Sequence, residues 1–127
     1  MTKPGYTGIK RIRKAAGYSS QGIRSAWQHE SAFRQECAVA AVLLPCAVVL
    51  AETWLQLAVL ITVCVLVLIA ELLNSAVEAV VDRIGHEHND LAGQAKDMAS
   101  AAVALAIFLV PLIWGLVALE RFVGYWI

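Results

Sequence analysis

The sequence predicts an all-α integral membrane protein, with three transmembrane helices preceded by an amphipathic interfacial helix. Three observations lead there. The 127 residues are 60% hydrophobic, with a mean hydropathy of +0.69, too apolar for a soluble domain of this length. The apolar residues fall in nearly continuous runs, and a helix needs ~20 of them to cross a bilayer. Formal charge is zero, yet seven of the ten basic residues, Lys3, Lys10, Arg11, Arg13, Lys14, Arg24 and Arg34, precede the first run. An anionic membrane surface is a simpler partner for such a patch than nucleic acid.

Residues 1–36 read as an N-terminal surface region and 37–127 as the transmembrane domain. Pro4, Gly5 and Gly8 make a loose start. From Ile9 to Glu36, Ile12, Ala15, Ala16, Ile23, Ala26, Trp27 and Phe33 are interleaved with basic and polar residues, the pattern of a helix lying in the interface plane. Gly17 and Gly22 bracket YSSQ and are expected to divide this stretch into two short helices. It lacks the apolar centre of a secretory signal, so it is expected to belong to the working protein.

The spans are placed at about 37–52, 55–84 and 98–120. Cys37–Ala51 holds Pro45 and is short for a span, but Phe33 and Trp54 extend it at its two ends. Leu55–Ala70 opens the second span. Met98–Leu119 is the third, with Pro111 as an expected kink. The link at Glu52 and Thr53 has no Lys or Arg, whereas the N-terminal stretch is basic and Asp82–Asp97 carries Arg83 and Lys96. Basic flanks stay cytoplasmic. The N-terminus and a loop at about 85–95 are therefore expected inside, and the C-terminus outside. Cys37, Cys46 and Cys64 form no CxxC pair and read as small buried hydrophobes.

Chemistry is carried by AELLNSAVEAVVD, Ala70–Asp82. At about 100° per residue, Glu71, Asn74, Ser75, Glu78 and Asp82 fall within an arc of roughly 100°. Leu55–Ala70 covers only ~24 Å of a ~30 Å hydrocarbon slab, which places Glu71 and Asn74 near its inner edge and Glu78 and Asp82 closer to the cytosol. A carboxylate inside lipid costs roughly 2.5–3.5 kcal/mol, so such groups face protein, a cation or a water-filled cleft. Carboxylates are hard ligands for Mg²⁺, which phosphate oxygens complete, and a desolvated carboxylate suits a general base. Glu71, the deeper, fits the base, and Glu78 the metal. Lys96 either neutralises a phosphate or snorkels to the interface. Glu30 either joins Glu78 on a metal or is an exposed helix carboxylate. His29, His86 and His88 lack the partners of a zinc site, and no phosphate-loop or protein-kinase signature is present.

ELLNSAVEAVVD, Glu71–Asp82, resembles the signature of the prokaryotic diacylglycerol kinase family, E-x-aliphatic-N-[ST]-[SA]-aliphatic-E-x-x-V-D, at every specified position. The resemblance extends through KAAGYS at Lys14–Ser19, AW..E.AFRQE at Ala26–Glu36 and AKDM.SAAV at Ala95–Val103. The loop GHEHND departs most from the family pattern. The resemblance implies a small bacterial inner-membrane enzyme, assembled as a homotrimer with sites shared between protomers, that transfers the γ-phosphate of ATP to a lipid hydroxyl with Mg²⁺. It implies Glu71 as the base with Asn74 supporting it, and Glu30 and Glu78 as metal ligands that also face the nucleotide. Arg11, Tyr18, Glu87, His88, Asn89, Lys96 and Asp97 would line the ATP site. The lipid would lie against Arg11, Ala15, Ala16, Gly17, Tyr18, Ser19, Ser20, Arg24, Ser25, Ala26 and Trp27. Its remaining contacts would be Ala32, Phe33, Arg34, Gln35, Glu36, Glu71 and Ser100.

Trp27 and the intact AFRQE favour diacylglycerol as acceptor, with undecaprenol the near alternative. Outside this class, a small ion transporter would need a polar path across the membrane, and Leu55–Ala70 offers only Thr62 and Cys64 beyond Gln56. A structural scaffold would have no use for the carboxylates.

Overall fold

The computed structural model describes residues 5–124, so Lys3 of the basic patch and Pro4 of the loose start lie outside the described residues. Four helices account for nearly all of it: α1, Gly8–His29; α2, Ser31–Leu50; α3, Trp54–Ile84; and α4, Asp90–Val123. Among the described residues there is no strand. Helices α2, α3 and α4 are each long and apolar enough to cross a membrane. At ~1.5 Å per residue α3 is ~46 Å long, well beyond a ~30 Å hydrocarbon core.

α1 corrects an expectation. Gly17 and Gly22 do not divide it, and one helix runs from Gly8 to His29. A helical glycine costs about 1 kcal/mol relative to alanine but forbids nothing, and one continuous amphipathic face outweighs that. The break falls instead at Glu30, a single extended residue (φ −116°, ψ 105°) that ends α1 and starts α2.

The turn after α2 is equally short. Trp54 opens α3 rather than extending the first span, because Thr53 is the N-cap and its Oγ1 accepts from Gln56 N at 3.1 Å. α4 begins well before the apolar run at Met98. Its N-cap is Asn89, whose Oδ1 accepts from Ala92 N at 3.0 Å, and Asp90 in the first turn complements the helix dipole. Pro45 and Pro111 lie inside α2 and α4, and neither interrupts its helix. Gly124 ends α4 at φ 91°, a conformation that L side chains avoid.

α3 is the centre of the bundle, packed on α4 along most of its length and on α2. At the far end from α1, Ala47, Leu60 and Val117 meet; Ala47 and Leu60 are fully buried. Further along, Val67 and Ala70 pack on Ala106, with Val103 and Val110 beside them. A polar clasp closes the far end. Gln56 Nε2 donates to Glu120 Oε2 at 2.8 Å, and Gln56 Oε1 accepts from Glu52 N at 2.8 Å. Arg121 donates to the Leu50 carbonyl at 2.7 Å and to the Val49 carbonyl, so it covers the C-terminus of α2.

Of the cysteines only Cys64 is buried. Cys37 is half-buried and Cys46 exposed, and all three are free thiols. The expectation of three buried thiols fails for Cys46, which lines an open recess between α2 and the Arg121–Phe122 end of α4 and stays exposed.

Candidate active site

The buried face of α3 changes character along its length. Leu60, Val63, Cys64, Val67 and Ala70 are buried; Glu71, Asn74, Ser75 and Glu78 continue that side of the helix, the mean directions of the two sets differing by roughly 40° at about 100° per residue. The polar stripe therefore points inward to protein. Glu71 is 5% exposed and is the one buried charged residue among those described. Asn74, Ser75 and Glu78 are half-buried, and Asp82 is exposed.

Around Glu71 the carboxylates gather. Glu78 and Glu30 lie within electrostatic reach of it, and so does Glu36 from α2. Asn74 Nδ2 donates to Glu78 Oε1 at 3.3 Å and its amide also interacts with Glu71. Among the described residues no basic side chain is paired with Glu30, Glu71 or Glu78: Lys96 pairs with Asp82 at 2.9 Å, and His88 Nε2 lies 3.1 Å from Asp90 Oδ1. Lys96 is nonetheless within electrostatic reach of Glu78. Like charges at low dielectric repel strongly, and a bound cation or a proton would relieve that repulsion. One Asn74 oxygen, the Ser75 hydroxyl and one Glu36 oxygen are buried without a hydrogen-bond partner.

A divalent cation fits this donor set. No three His, Cys, Asp or Glu residues among those described form a complete metal cage. Mg²⁺ does not require one, because it is held by one or two carboxylates and completed by water and phosphate oxygens. Glu30 and Glu78 could supply that minimum, with Glu71 left over.

Three recesses receive the other expected residues. A cleft of about 630 Å³ between α1 and α3 is lined by Ser19, Ser25, Ala26 and Glu30 on one side and by Leu72, Ser75 and Ala79 on the other. A second, of about 510 Å³, is lined by Arg11, Ala15, Tyr18 and Ser19 together with Tyr6 and Lys14. A third, apolar one of about 250 Å³ has Glu36 at its edge and Val39, Leu43, Cys64 and Val110 along its walls. The expected nucleotide and lipid contacts are thus divided among these three recesses.

The remaining expected residues are placed as follows. Ala16, Gly17, Ser20 and Arg24 are exposed on α1, Trp27 and Gln35 are exposed, and Ala32 and Arg34 are half-buried. Phe33 is buried in packing and offers little surface to a lipid. Glu87, His88 and Asn89 sit in the short connection from α3 to α4, where His88 leans on Asp90 and Asn89 caps α4. Lys96, Asp97 and Ser100 are exposed on the first turns of α4.

Sequence reasoning missed His29, Ile23, Ala76 and Ala79 in the cleft wall. Small residues on facing sides of α1 and α3, Gly22 with Ser25 against Ala76 with Ala79, were the available signal. It also missed the bond from Arg34 to the Trp27 carbonyl at 2.6 Å.

The profile of prokaryotic diacylglycerol kinase matches residues 17–118. The chain is 52% identical over 121 residues to the diacylglycerol kinase of Escherichia coli K12, covering 91% of this chain and 95% of that protein. It is 46% identical over 109 residues to the diacylglycerol kinase of Haemophilus influenzae, covering 86% and 92%. To that of Pseudomonas aeruginosa it is 45% identical over 115 residues, covering 91% and 94%.

Proposed function

The chain belongs to the prokaryotic diacylglycerol kinase family, and on that premise we propose that it phosphorylates diacylglycerol to phosphatidic acid with ATP and Mg²⁺. The observation that carries the reading is the buried Glu71 on the protein side of α3, with Glu30 and Glu78 in electrostatic reach. A water-soluble donor and a lipid alcohol can meet only at the membrane surface, and the length of α3 puts these groups near the inner edge of the hydrocarbon.

In this reading Glu71 accepts the proton from the lipid hydroxyl as the oxygen attacks the γ-phosphorus, the bond from that phosphorus to the β,γ-bridging oxygen breaks and ADP leaves; Asn74 orients Glu71. Glu30 and Glu78 would hold Mg²⁺, which when bound would supply positive charge against the phosphates. Lys96 and Arg11 face phosphate oxygens, with Tyr18, Glu87, His88, Asn89 and Asp97 around the nucleotide. Diacylglycerol lies along α1 and the first turns of α2, its glycerol toward Glu36 and Ser100. Phosphoryl transfer is mainly positioning and charge neutralisation, so a base, a metal and a few cations suffice.

In this reading, following the family resemblance, the protein lies in the bacterial inner membrane; clustering of the basic residues at that end favours a cytoplasmic N-terminus and α3–α4 connection and a periplasmic C-terminus. A homotrimer with shared sites is what the family resemblance implies, and the division of Arg11, Glu30 and Glu36 among three recesses of one chain favours it.

The test is phosphate transfer from labelled ATP in mixed micelles, with diacylglycerol or undecaprenol as acceptor and with or without Mg²⁺. Transfer to diacylglycerol that requires Mg²⁺ is expected. A wide preference for undecaprenol would move the acceptor, and no transfer by well-folded protein would remove the kinase.

A further inference from the structure

Between α1 and α2 the chain has no linker, only Glu30. Interrupting a helix for one residue strips the preceding carbonyls of their ladder partners. The Ala26 carbonyl keeps one, the Glu30 N–H at 2.8 Å. The Trp27 carbonyl is instead taken by an Arg34 guanidinium nitrogen at 2.6 Å. Arg34 stands on the first turn of α2, across the bend. The guanidinium thus ties the last turn of α1 to the first turn of α2, and its charge sits at the negative end of the α1 dipole. Buried Ala26 and buried Phe33 seat the two sides of the joint.

Glu30 itself is the N-cap residue of α2, but its side chain makes no capping hydrogen bond. It lines the α1–α3 cleft instead. Where that carboxylate lies relative to Glu71 and Glu78 is set by the angle of the bend, because no other residue separates the two helices.

We propose that Arg34 is a positioning residue: by gripping the Trp27 carbonyl it fixes the bend at Glu30, and so the place of the Glu30 carboxylate beside Glu71 and Glu78. This rests on the reading of Glu30 as a ligand of the divalent cation. It differs from a lipid contact, the role that the family resemblance implies for Arg34. A lipid contact would act on the apparent affinity for diacylglycerol; a grip on the bend acts on the cation.

The experiment uses the full chain in detergent micelles with Mn²⁺ as probe and a non-hydrolysable ATP analogue. Bound Mn²⁺ is titrated by electron paramagnetic resonance. The bend is read separately from the distance distribution between nitroxides at Arg13→Cys and Val42→Cys, with Cys37, Cys46 and Cys64 replaced by alanine. Arg34→Ala is expected to weaken Mn²⁺ binding about tenfold, the usual scale for removing a group that orients a ligand, and to broaden the distances. KM for diacylglycerol should change less. Arg34→Lys, which keeps one charged donor, should recover part of both effects. If Arg34→Ala does not fold, Arg34→Gln takes its place with the same expected loss.

Mn²⁺ affinity and distances like those of the wild type, with a raised KM for diacylglycerol, would overturn the proposal in favour of a lipid contact. Glu30→Gln separates the two layers. If it leaves Mn²⁺ binding unaltered, the cation reading of Glu30 fails and takes the proposal with it. If it weakens Mn²⁺ binding while Arg34→Ala does not, the positioning role alone is overturned.

Discussion

Asn74 donates its side-chain amide to Glu78 Oε1 at 3.3 Å, across one turn of α3, while interacting with Glu71 on the turn before. One amide therefore links the two carboxylates to which different tasks are assigned. Removing it should disturb both, and removing either acid should separate them.

Glu71→Gln keeps the shape of the side chain and deletes its basicity. Loss of a general base lowers turnover by ~10² to 10⁴, so kcat should fall on that scale while binding of an ATP analogue is preserved. Single-turnover transfer and equilibrium nucleotide binding on the same sample check this. An equal loss of nucleotide affinity would make Glu71 a metal ligand instead.

Glu78→Gln should raise the Mg²⁺ concentration needed for half-maximal rate, and Asn74→Ala should do so more weakly, by up to about tenfold. The measurement is a Mg²⁺ titration of the rate at saturating lipid. An unaltered metal dependence in Glu78→Gln would contradict its assignment.

Lys96 and Asp82 form an exposed pair at 2.9 Å, and exposed pairs contribute little to stability because water and salt screen them. Lys96→Ala should therefore leave thermal unfolding in micelles unchanged while weakening apparent ATP affinity several-fold. A drop in unfolding temperature with normal ATP affinity would make Lys96 a structural strut.

Arg121 covers the last carbonyls of α2 from the end of α4. Arg121→Ala leaves those carbonyls without a donor and should destabilise the protomer by about 1–2 kcal/mol, with no change in Mg²⁺ dependence. Chemical unfolding in mixed micelles measures it. Gln56→Leu, which breaks the bridge to Glu120, should act in the same direction.

The bundle and the acidic stripe were legible because hydropathy is a strong signal and carboxylates inside it are costly. The joints were less legible. Gly17 and Gly22 suggested a break that one amphipathic face overrides, while the true break at Glu30 depends on Arg34 reaching back seven residues, which no local pattern announces. The early start of α4 was readable from Asn89-Asp90, an N-cap followed by an acid, but apolarity pointed to Met98. Thr53 with Gln56 gave the same kind of cue for α3. Which face of α2 meets another helix, and hence which cysteine is buried, depends on packing that one chain's periodicity does not encode.

The sequence of grease then acid along one side of α3 also locks its vertical setting. Sliding α3 by a single turn, ~5.4 Å, would drive Glu71 into the slot that Val67 fills against Ala106, a dry neighbourhood hostile to a charge. Slippage the other way would lift Val67 and Ala70 out of their contacts. The carboxylate assigned to proton removal thus doubles as a registration pin, and a neutral replacement there should make the helix freer to shift along its own axis.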